Sequence, residues 1–163
     1  MTNGTRRAKT ITLRGRLVLL LVMRTALLHE DLTHSVIGAF YEVQRNLGYG
    51  FLETHYVSAL ERELLAKGHR VAREFAVLVH YKGEELGYHR LDLVVDDLLV
   101  VEVKSTHALP AAAQRQLYNY LKATNLEVGL LLHFGPEGAR FHRQIHSRDR
   151  KSFVNSGSSA DSG

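Results

Sequence analysis

The chain has 163 residues, of which 45% are hydrophobic and 23% are charged, as is typical of one globular domain with its own core. It has no cysteine, which excludes disulfides, thiolate metal sites and cysteine nucleophiles. Its net charge of +4 comes from the first 24 residues, which hold six basic side chains and no acidic one, whereas the remainder holds 15 basic and 17 acidic side chains. The overall basicity therefore gives no support to nucleic-acid binding by the domain.

Three segments are expected from this distribution. Residues 1–24 combine basic residues with an apolar run too short to span a bilayer, so we expect a disordered or mis-assigned leader with Met23 as the alternative initiator. Residues 25–150 carry the periodic apolar patterns of a folded domain. Residues 151–163 are small and polar, which predicts a disordered tail. We expect no membrane association and a cytoplasmic location.

Two helices are predicted at the start of the domain. The first spans Asp31–Asn46, and Asp31 or Thr33 can cap its start. The second runs from Leu52 to Lys67 and places Glu53 in its first turn, at the centre of the apolar stripe. A carboxylate in a first turn interacts favourably with the helix dipole, but the dipole does not account for its inward direction.

Strands and one further helix follow. Alternating apolar residues predict a strand over Val71–Tyr81 and a β-hairpin over Tyr88–Ser105. Pro110 suits the first turn of a helix that runs to Thr124. A buried strand is predicted over Glu127–Phe134, and an edge strand over Ala139–Ile145. The order predicts an α/β protein of the mixed α+β type, with an αβββαβ core, an extra N-terminal helix and helices packed on a mixed sheet.

The hairpin carries three charges where a core hairpin would have none. A two-residue turn at its tip would place Asp92 opposite Val101, on the face away from Glu102. A three-residue loop over Asp96–Leu98 pairs Asp92 with Glu102 and puts Lys104 on the same face. We expect that loop or an equivalent bulge, since such loops are common and buried charges need partners.

Glu53 can join these charges at one edge of the sheet. Three carboxylates, with the Val103 carbonyl, form the oxygen-rich shell that Mg²⁺ or Mn²⁺ prefers, and Lys104 can balance charge or hold a water. The predicted metal ligands are Glu53, Asp92, Glu102 and Val103.

Gln116 and Tyr120 are four residues apart on the next helix, so they share a face and can flank the site. The ten histidines are scattered along the chain. His142 and His146 lie in a stretch typical of a strand and a tail, which argues against a zinc site.

The residues Gly50-Phe51-Leu52-Glu53-Thr54-His55-Tyr56 resemble the signature of the GxxExxY proteins, a family of the PD-(D/E)XK nuclease superfamily. The resemblance extends from about Leu28 to Ile145 and includes the Asp92 strand and Glu102-Val103-Lys104 as the ExK motif. Gln116 to Tyr120 resembles the QxxxY motif of RecB-like nucleases.

This resemblance implies a restriction-endonuclease-like core and a nuclease that depends on Mg²⁺ or Mn²⁺. DNA is then expected as the substrate in preference to RNA, and a homo-oligomer is compatible with the sequence. The catalytic residues it implies are Glu53, Asp92, Glu102, Lys104, Gln116 and Tyr120. The alternative is a non-catalytic nuclease-fold module that binds nucleic acid or protein, towards which the acidic balance of the domain leans.

Overall fold

The computed structural model describes Met23 and residues 28–147. The predicted leader, except for Met23, and the predicted disordered tail lie outside the described residues. Within these residues the elements are, in chain order, α1 (Glu30–Leu47), α2 (Glu53–Ala66), β1 (Val71–Tyr81), β2 (Glu84–Val95), β3 (Leu99–Ser105), α3 (Ala113–Ala123), β4 (Val128–Gly135) and β5 (Gly138–Ile145).

The strands form one five-stranded sheet in the order β1-β2-β3-β4-β5. β3 and β4 are parallel, because α3 crosses over between them, and every other neighbouring pair is antiparallel. This arrangement confirms the predicted mixed sheet, its αβββαβ order and β5 as an edge strand. In residues 28–147 no helix is long and apolar enough to cross a membrane.

Apolar side chains cover the sheet on both faces. On one face α1 and α2 pack against residues such as Leu93, Val101 and Val103. On the other face α3 packs against Val94 and Val100. Because side chains alternate along a strand, the even-numbered residues of β3 that follow Val100 are directed towards α3.

A glycine lets α3 lie close to the sheet. A β-carbon at Gly129 on β4 would meet a methyl carbon of Leu117 at 2.7 Å. A larger residue would therefore push α3 outwards.

The predicted cap of α1 and the predicted start of α3 are wrong. α1 begins after His29, which has φ 54°, and no side chain of the described residues caps it, because Asp31 and Thr33 already lie inside the helix. α3 begins at Ala113 rather than Pro110, since the Pro110 carbonyl accepts the Ala113 N–H at 2.9 Å in a separate turn that precedes the helix.

The loop between β2 and β3 has three residues, as predicted. Leu93, Val94 and Val95 pair with Val101, Val100 and Leu99, so Asp96, Asp97 and Leu98 form the loop. Asp96 and Asp97 adopt φ of 52° and 58°, a left-handed conformation that aspartate tolerates better than most residues.

A polar relay ties this loop to α1. The carboxylate of Asp96 can only accept, so Nδ1 of His69 donates to it at 2.8 Å, and Nε2 lies 2.7 Å from the Ser35 hydroxyl. Burial alone would raise the pKa of Asp96, but the N–H of Arg70 and the His69 ring outweigh burial and lower it. The relay holds the closed end of the hairpin, opposite the end that carries Glu102 and Lys104.

Candidate active site

The β2–β3 ladder stops where the acidic residues begin. The last pair of this ladder is Leu93 with Val101, and the next pair along the strands would be Asp92 with Glu102. There the Val103 N–H donates to Oδ2 of Asp92 at 2.7 Å instead of to a backbone carbonyl of β2. The strands thus separate around the Asp92 carboxylate. Burial, partly offset by the Val103 N–H, raises the pKa of Asp92.

Glu102 is a buried carboxylate, and only one of its two oxygens accepts a hydrogen bond from the described residues. The residue is 2% exposed, and its Oε1 accepts from the Lys104 ammonium at 2.6 Å. Its Oε2 is buried and has no hydrogen-bond partner among the described residues. Burial, followed by the negative charge of Asp92, raises the pKa of Glu102 to about 7. Such an oxygen is costly to keep charged unless a cation or a donor reaches it.

Lys104 lies among the groups predicted to hold a metal. Its Nζ is 2.6 Å from Oε1 of Glu102, 3.1 Å from the Val103 carbonyl and 3.5 Å from Oε1 of Glu53. Burial alone would lower the pKa of Lys104, but its bond to Glu102 and the carboxylates around it outweigh burial and raise it. The side chain is therefore a fixed cation at neutral pH.

Glu53 reaches this cluster around the end of β3. It starts α2, which packs on the opposite face of the sheet from Glu102, and its Oε2 accepts the Ser105 N–H at 3.2 Å. Its side chain remains 38% exposed. Glu53, Asp92, Glu102 and Lys104 thus meet at the carboxyl end of β3 and are called the Glu102 site below.

The loop before Glu53 is held by hydrogen bonds that the sequence did not predict. The Tyr56 hydroxyl donates to the Gly48 carbonyl at 2.8 Å and accepts the Phe51 N–H at 3.3 Å, while the Tyr56 ring stacks on Phe134 with centroids 4.0 Å apart. Gly50 has φ 117°, a conformation that other residues rarely adopt. The Gly and Tyr of the GxxExxY pattern therefore position Glu53.

Gln116 and Tyr120 lie on the face of α3 that turns towards the Glu102 site. Tyr120 is buried, and its hydroxyl accepts a hydrogen bond from the side-chain amide of Gln116. Burial raises the pKa of Tyr120, and the negative charges of Glu102 and Asp92 act in the same direction. The phenol stays protonated, so its O–H remains available as a donor.

His133 is a buried neighbour of the site that sequence reasoning did not identify. It pairs in register with Lys104 on the adjacent strand, and its Nε2 donates to the Thr106 carbonyl at 2.8 Å. A β-carbon at Gly135 would meet the His133 ring at 2.8 Å, so the glycine makes space for it. An apolar run with one histidine gives no sign of this position, because the contact depends on the parallel register of β3 and β4.

The oxygen donors suit a hard divalent cation. No group of three or more His, Cys, Asp or Glu side chains among the described residues is arranged as a ready cage, and the Lys104 ammonium lies between Glu102 and Glu53. The buried Oε2 of Glu102 nevertheless lacks a partner, and the neighbouring donors are carboxylates and a carbonyl, as Mg²⁺ and Mn²⁺ prefer. The residues fit such an ion provided that Lys104 gives up part of its contacts.

The chain is similar to a known family of proteins. A family model described as the PD-(D/E)XK nuclease superfamily matches residues 30–145, which run from the start of α1 to the end of β5. No curated protein matches the chain. The match covers every helix and strand described above and confirms the restriction-endonuclease-like fold.

Two solved structures resemble the chain. One is the crystal structure of SSO0001, with 18% identity over 81% of this chain and a TM-score of 0.43. The other is an alkaline exonuclease (LHK-Exo) from Laribacter hongkongensis, with 10% identity over 58% of this chain and a TM-score of 0.39. The chain spans 66% and 56% of those two chains, respectively.

Proposed function

Because the chain belongs to the PD-(D/E)XK nuclease superfamily, we propose that the Glu102 site hydrolyses phosphodiester bonds in nucleic acid with the help of Mg²⁺ or Mn²⁺. We assign the chain to the GxxExxY family within that superfamily and take DNA as its substrate. The observation that carries the proposal is the buried Oε2 of Glu102, which lies near two further carboxylates and has no hydrogen-bond partner among the described residues.

The proposed ligands are the carboxylates of Glu53, Asp92 and Glu102 and the Val103 carbonyl. A bound divalent ion polarises a phosphoryl oxygen and lowers the pKa of a water molecule. Asp92 is held for this role by the Val103 N–H, and Glu53 by the Ser105 N–H. These two backbone donors fix one carboxylate oxygen of each residue, and the other oxygen is left for the proposed ion. That other oxygen of Glu53 lies 3.5 Å from the Lys104 ammonium.

Lys104 is proposed as an electrostatic donor rather than as a general base. Its pKa is raised by the surrounding carboxylates, so it has no tendency to accept a proton at neutral pH. An ammonium at this position can hold the attacking water or donate to a phosphate oxygen, and it stabilises the negative charge that develops there.

Gln116 and Tyr120 are proposed to orient the substrate phosphate from the α3 side. The Gln116 amide occupies an acceptor position of the Tyr120 hydroxyl, which directs the phenolic proton elsewhere. A phosphate oxygen next to the Glu102 site is the acceptor that this proton would find. Removing the hydroxyl with Tyr120→Phe should therefore slow cleavage without removing metal binding.

The contacts of Lys104 also favour a second candidate, a non-catalytic module of the same fold. A buried Lys–Glu pair at 2.6 Å is the geometry that a purely structural ion pair would have. In that case the ammonium is the permanent cation of the site, and the protein binds nucleic acid or another protein without cleaving it.

A cleavage assay tests the proposal. The full chain is incubated with labelled single- and double-stranded DNA and RNA in EDTA, Mg²⁺ or Mn²⁺. We expect cleavage only with a divalent ion, and at least a hundredfold loss in Asp92→Asn, Glu102→Gln and Lys104→Ala, since each removes a group that acts on the reacting phosphate. Asp97→Asn, the same chemical change at the opposite end of the hairpin, should retain activity. Cleavage that persists in Glu102→Gln would contradict the proposed site.

A further inference from the structure

We propose that a cleft between α3 and the β1–β2 hairpin binds the nucleotides that flank the scissile phosphate, and that the strand it accepts is single. This inference rests on the proposed nuclease function and specifies its substrate. The cleft has a volume of about 540 Å³ and is called the α3 cleft below. It is lined by Leu78, Val79, His80, His89, Asn119, Lys122 and Ala123.

Tyr120 lies between the α3 cleft and the Glu102 site. The His89 ring on its wall lies 5.2 Å, centroid to centroid, from the Tyr120 ring. Tyr120 in turn lies close enough to Glu102, Lys104 and Asp92 for their charges to affect its hydroxyl. Asn119 and Ala123 follow Gln116 by three and seven residues, so they lie on the same side of the helix. A strand with its phosphate at the Glu102 site can therefore continue past Tyr120 into the cleft.

The charges of the cleft are complementary to a phosphate backbone. Its lining includes Lys122 and two histidines, and none of its lining residues in the described chain is acidic. The Glu102 site beside it carries three carboxylates and one ammonium. The cleft therefore attracts a polyanion to a position next to the catalytic carboxylates, although the negative charge of those carboxylates repels it. Lys122 therefore gives the cleft a positive charge, although the domain as a whole is slightly acidic.

The size and side chains of the cleft favour one strand over a duplex. Cavities of roughly 300–1,000 Å³ hold a single small ligand, so this one has room for about one or two nucleotides. His89 is exposed on the wall, and an imidazole ring is one of the planar groups on which unpaired bases stack. Bases in a duplex are already stacked and paired, so they cannot make this contact without being unpaired.

A binding experiment without divalent ions tests the cleft independently of catalysis. The full chain is titrated in EDTA into a short fluorescein-labelled oligothymidylate and into a labelled duplex of the same length, with fluorescence anisotropy as the readout. Lys122→Glu should weaken single-strand binding about tenfold at low salt and reduce the slope of log K against log salt by about 0.7. His89→Ala should weaken it about fivefold to tenfold by removing stacking.

The matched control is Lys67→Glu. Lys67 is an exposed lysine at the end of α2, on the other face of the sheet, so its reversal should change binding less than about twofold. All three positions are exposed, so the fold should be retained. Equal losses in Lys67→Glu and Lys122→Glu would show a diffuse charge effect and overturn the cleft. Duplex binding as tight as single-strand binding would overturn the choice of substrate.

A hydrolysis experiment separates failure of the cleft from failure of the nuclease proposal. With Mn²⁺, both cleft variants should lose activity on the oligonucleotide through a raised KM. Lys122→Glu should also keep the wild-type rate on bis(p-nitrophenyl) phosphate, which has no flanking nucleotides. Absence of hydrolysis in the wild type would reject the nuclease proposal while the binding result still decides the cleft. Normal oligonucleotide KM in both variants would reject the cleft and leave the nuclease proposal intact.

Discussion

Relative to the wild type, replacement of Glu102 by glutamine should favour the folded ion-free protein more at high pH than at low pH. The pKa of Glu102 is raised from 4.5 to about 7, because burial and Asp92 disfavour its charged form. The folded protein therefore holds a proton that the unfolded chain releases between these pH values, so the wild type loses stability as pH rises from 4.5 to 7. At 1.36 kcal/mol per pKa unit, the full cost is about 3 kcal/mol at pH 8 and below about 1 kcal/mol at pH 5.

Glutamine resembles the protonated carboxyl and does not titrate, so it removes this pH-dependent cost. A constant offset is expected from the amide, whose NH₂ group has to occupy the place of the unpartnered Oε2. The offset cancels when two pH values are compared. Relative to the wild type, Glu102→Gln should therefore gain about 2–3 kcal/mol more at pH 8 than at pH 5.

Urea unfolding in EDTA at both pH values measures this difference. Glu137→Gln is the matched control, since the Glu137 side chain is 78% exposed and should show no such difference. A structural Lys104–Glu102 pair predicts the opposite sign, because removing the carboxylate would leave Lys104 buried without its partner. Greater destabilisation of Glu102→Gln at pH 8 than at pH 5 would refute the reasoning.

Three further predictions follow from the site and its supports. Mn²⁺ must displace the proton of Glu102, so the apparent Kd of Mn²⁺, measured by calorimetry, should be about tenfold higher at pH 6 than at pH 8. An unchanged Kd would mean that the ion does not bind to Glu102. Gly50→Ala should cost about 1–2 kcal/mol, because Gly50 has φ 117°, and should also slow cleavage by displacing Glu53. Gly38→Ala, within α1 and with no atom near the added carbon, should be neutral or stabilising. His69→Ala should cost about 1–2 kcal/mol by breaking the relay to α1 but leave cleavage unchanged; lost cleavage would mean that the relay acts on the site.

Much of the fold was predictable from the sequence because the strand periodicity, the hairpin loop length and the helical spacing all indicate the same arrangement. Period-two patterns identified the strands, and the need to keep three charges on one face selected the three-residue hairpin loop. The helical angle of Glu53 predicted an inward carboxylate, which the structure brings within 3.5 Å of Lys104. In each case the residue and its partners are fixed by spacing along the chain or by one antiparallel register.

What the sequence did not predict depends on contacts between distant elements. The bonds of Tyr56 require the left-handed turns at Gly48 and Gly50, and the position of His133 requires a parallel register. Asp92 was predicted as a metal ligand, but its bond to the Val103 N–H appears only where the two strands separate. The α3 cleft likewise exists only once α3 has packed beside the hairpin. None of these features leaves a periodic signal.

The measurement that tests the Glu102 site most directly is a thermal melt of wild type and Glu102→Gln in EDTA and in Mn²⁺. If the carboxylate is a metal ligand, free Mn²⁺ at a hundred times its Kd should stabilise the wild type by about 2.7 kcal/mol. In EDTA at pH 8 the variant should melt no lower than the wild type, and it should gain little from Mn²⁺. A wild type that does not respond to Mn²⁺, together with a destabilised variant, would contradict the metal site and favour the non-catalytic module.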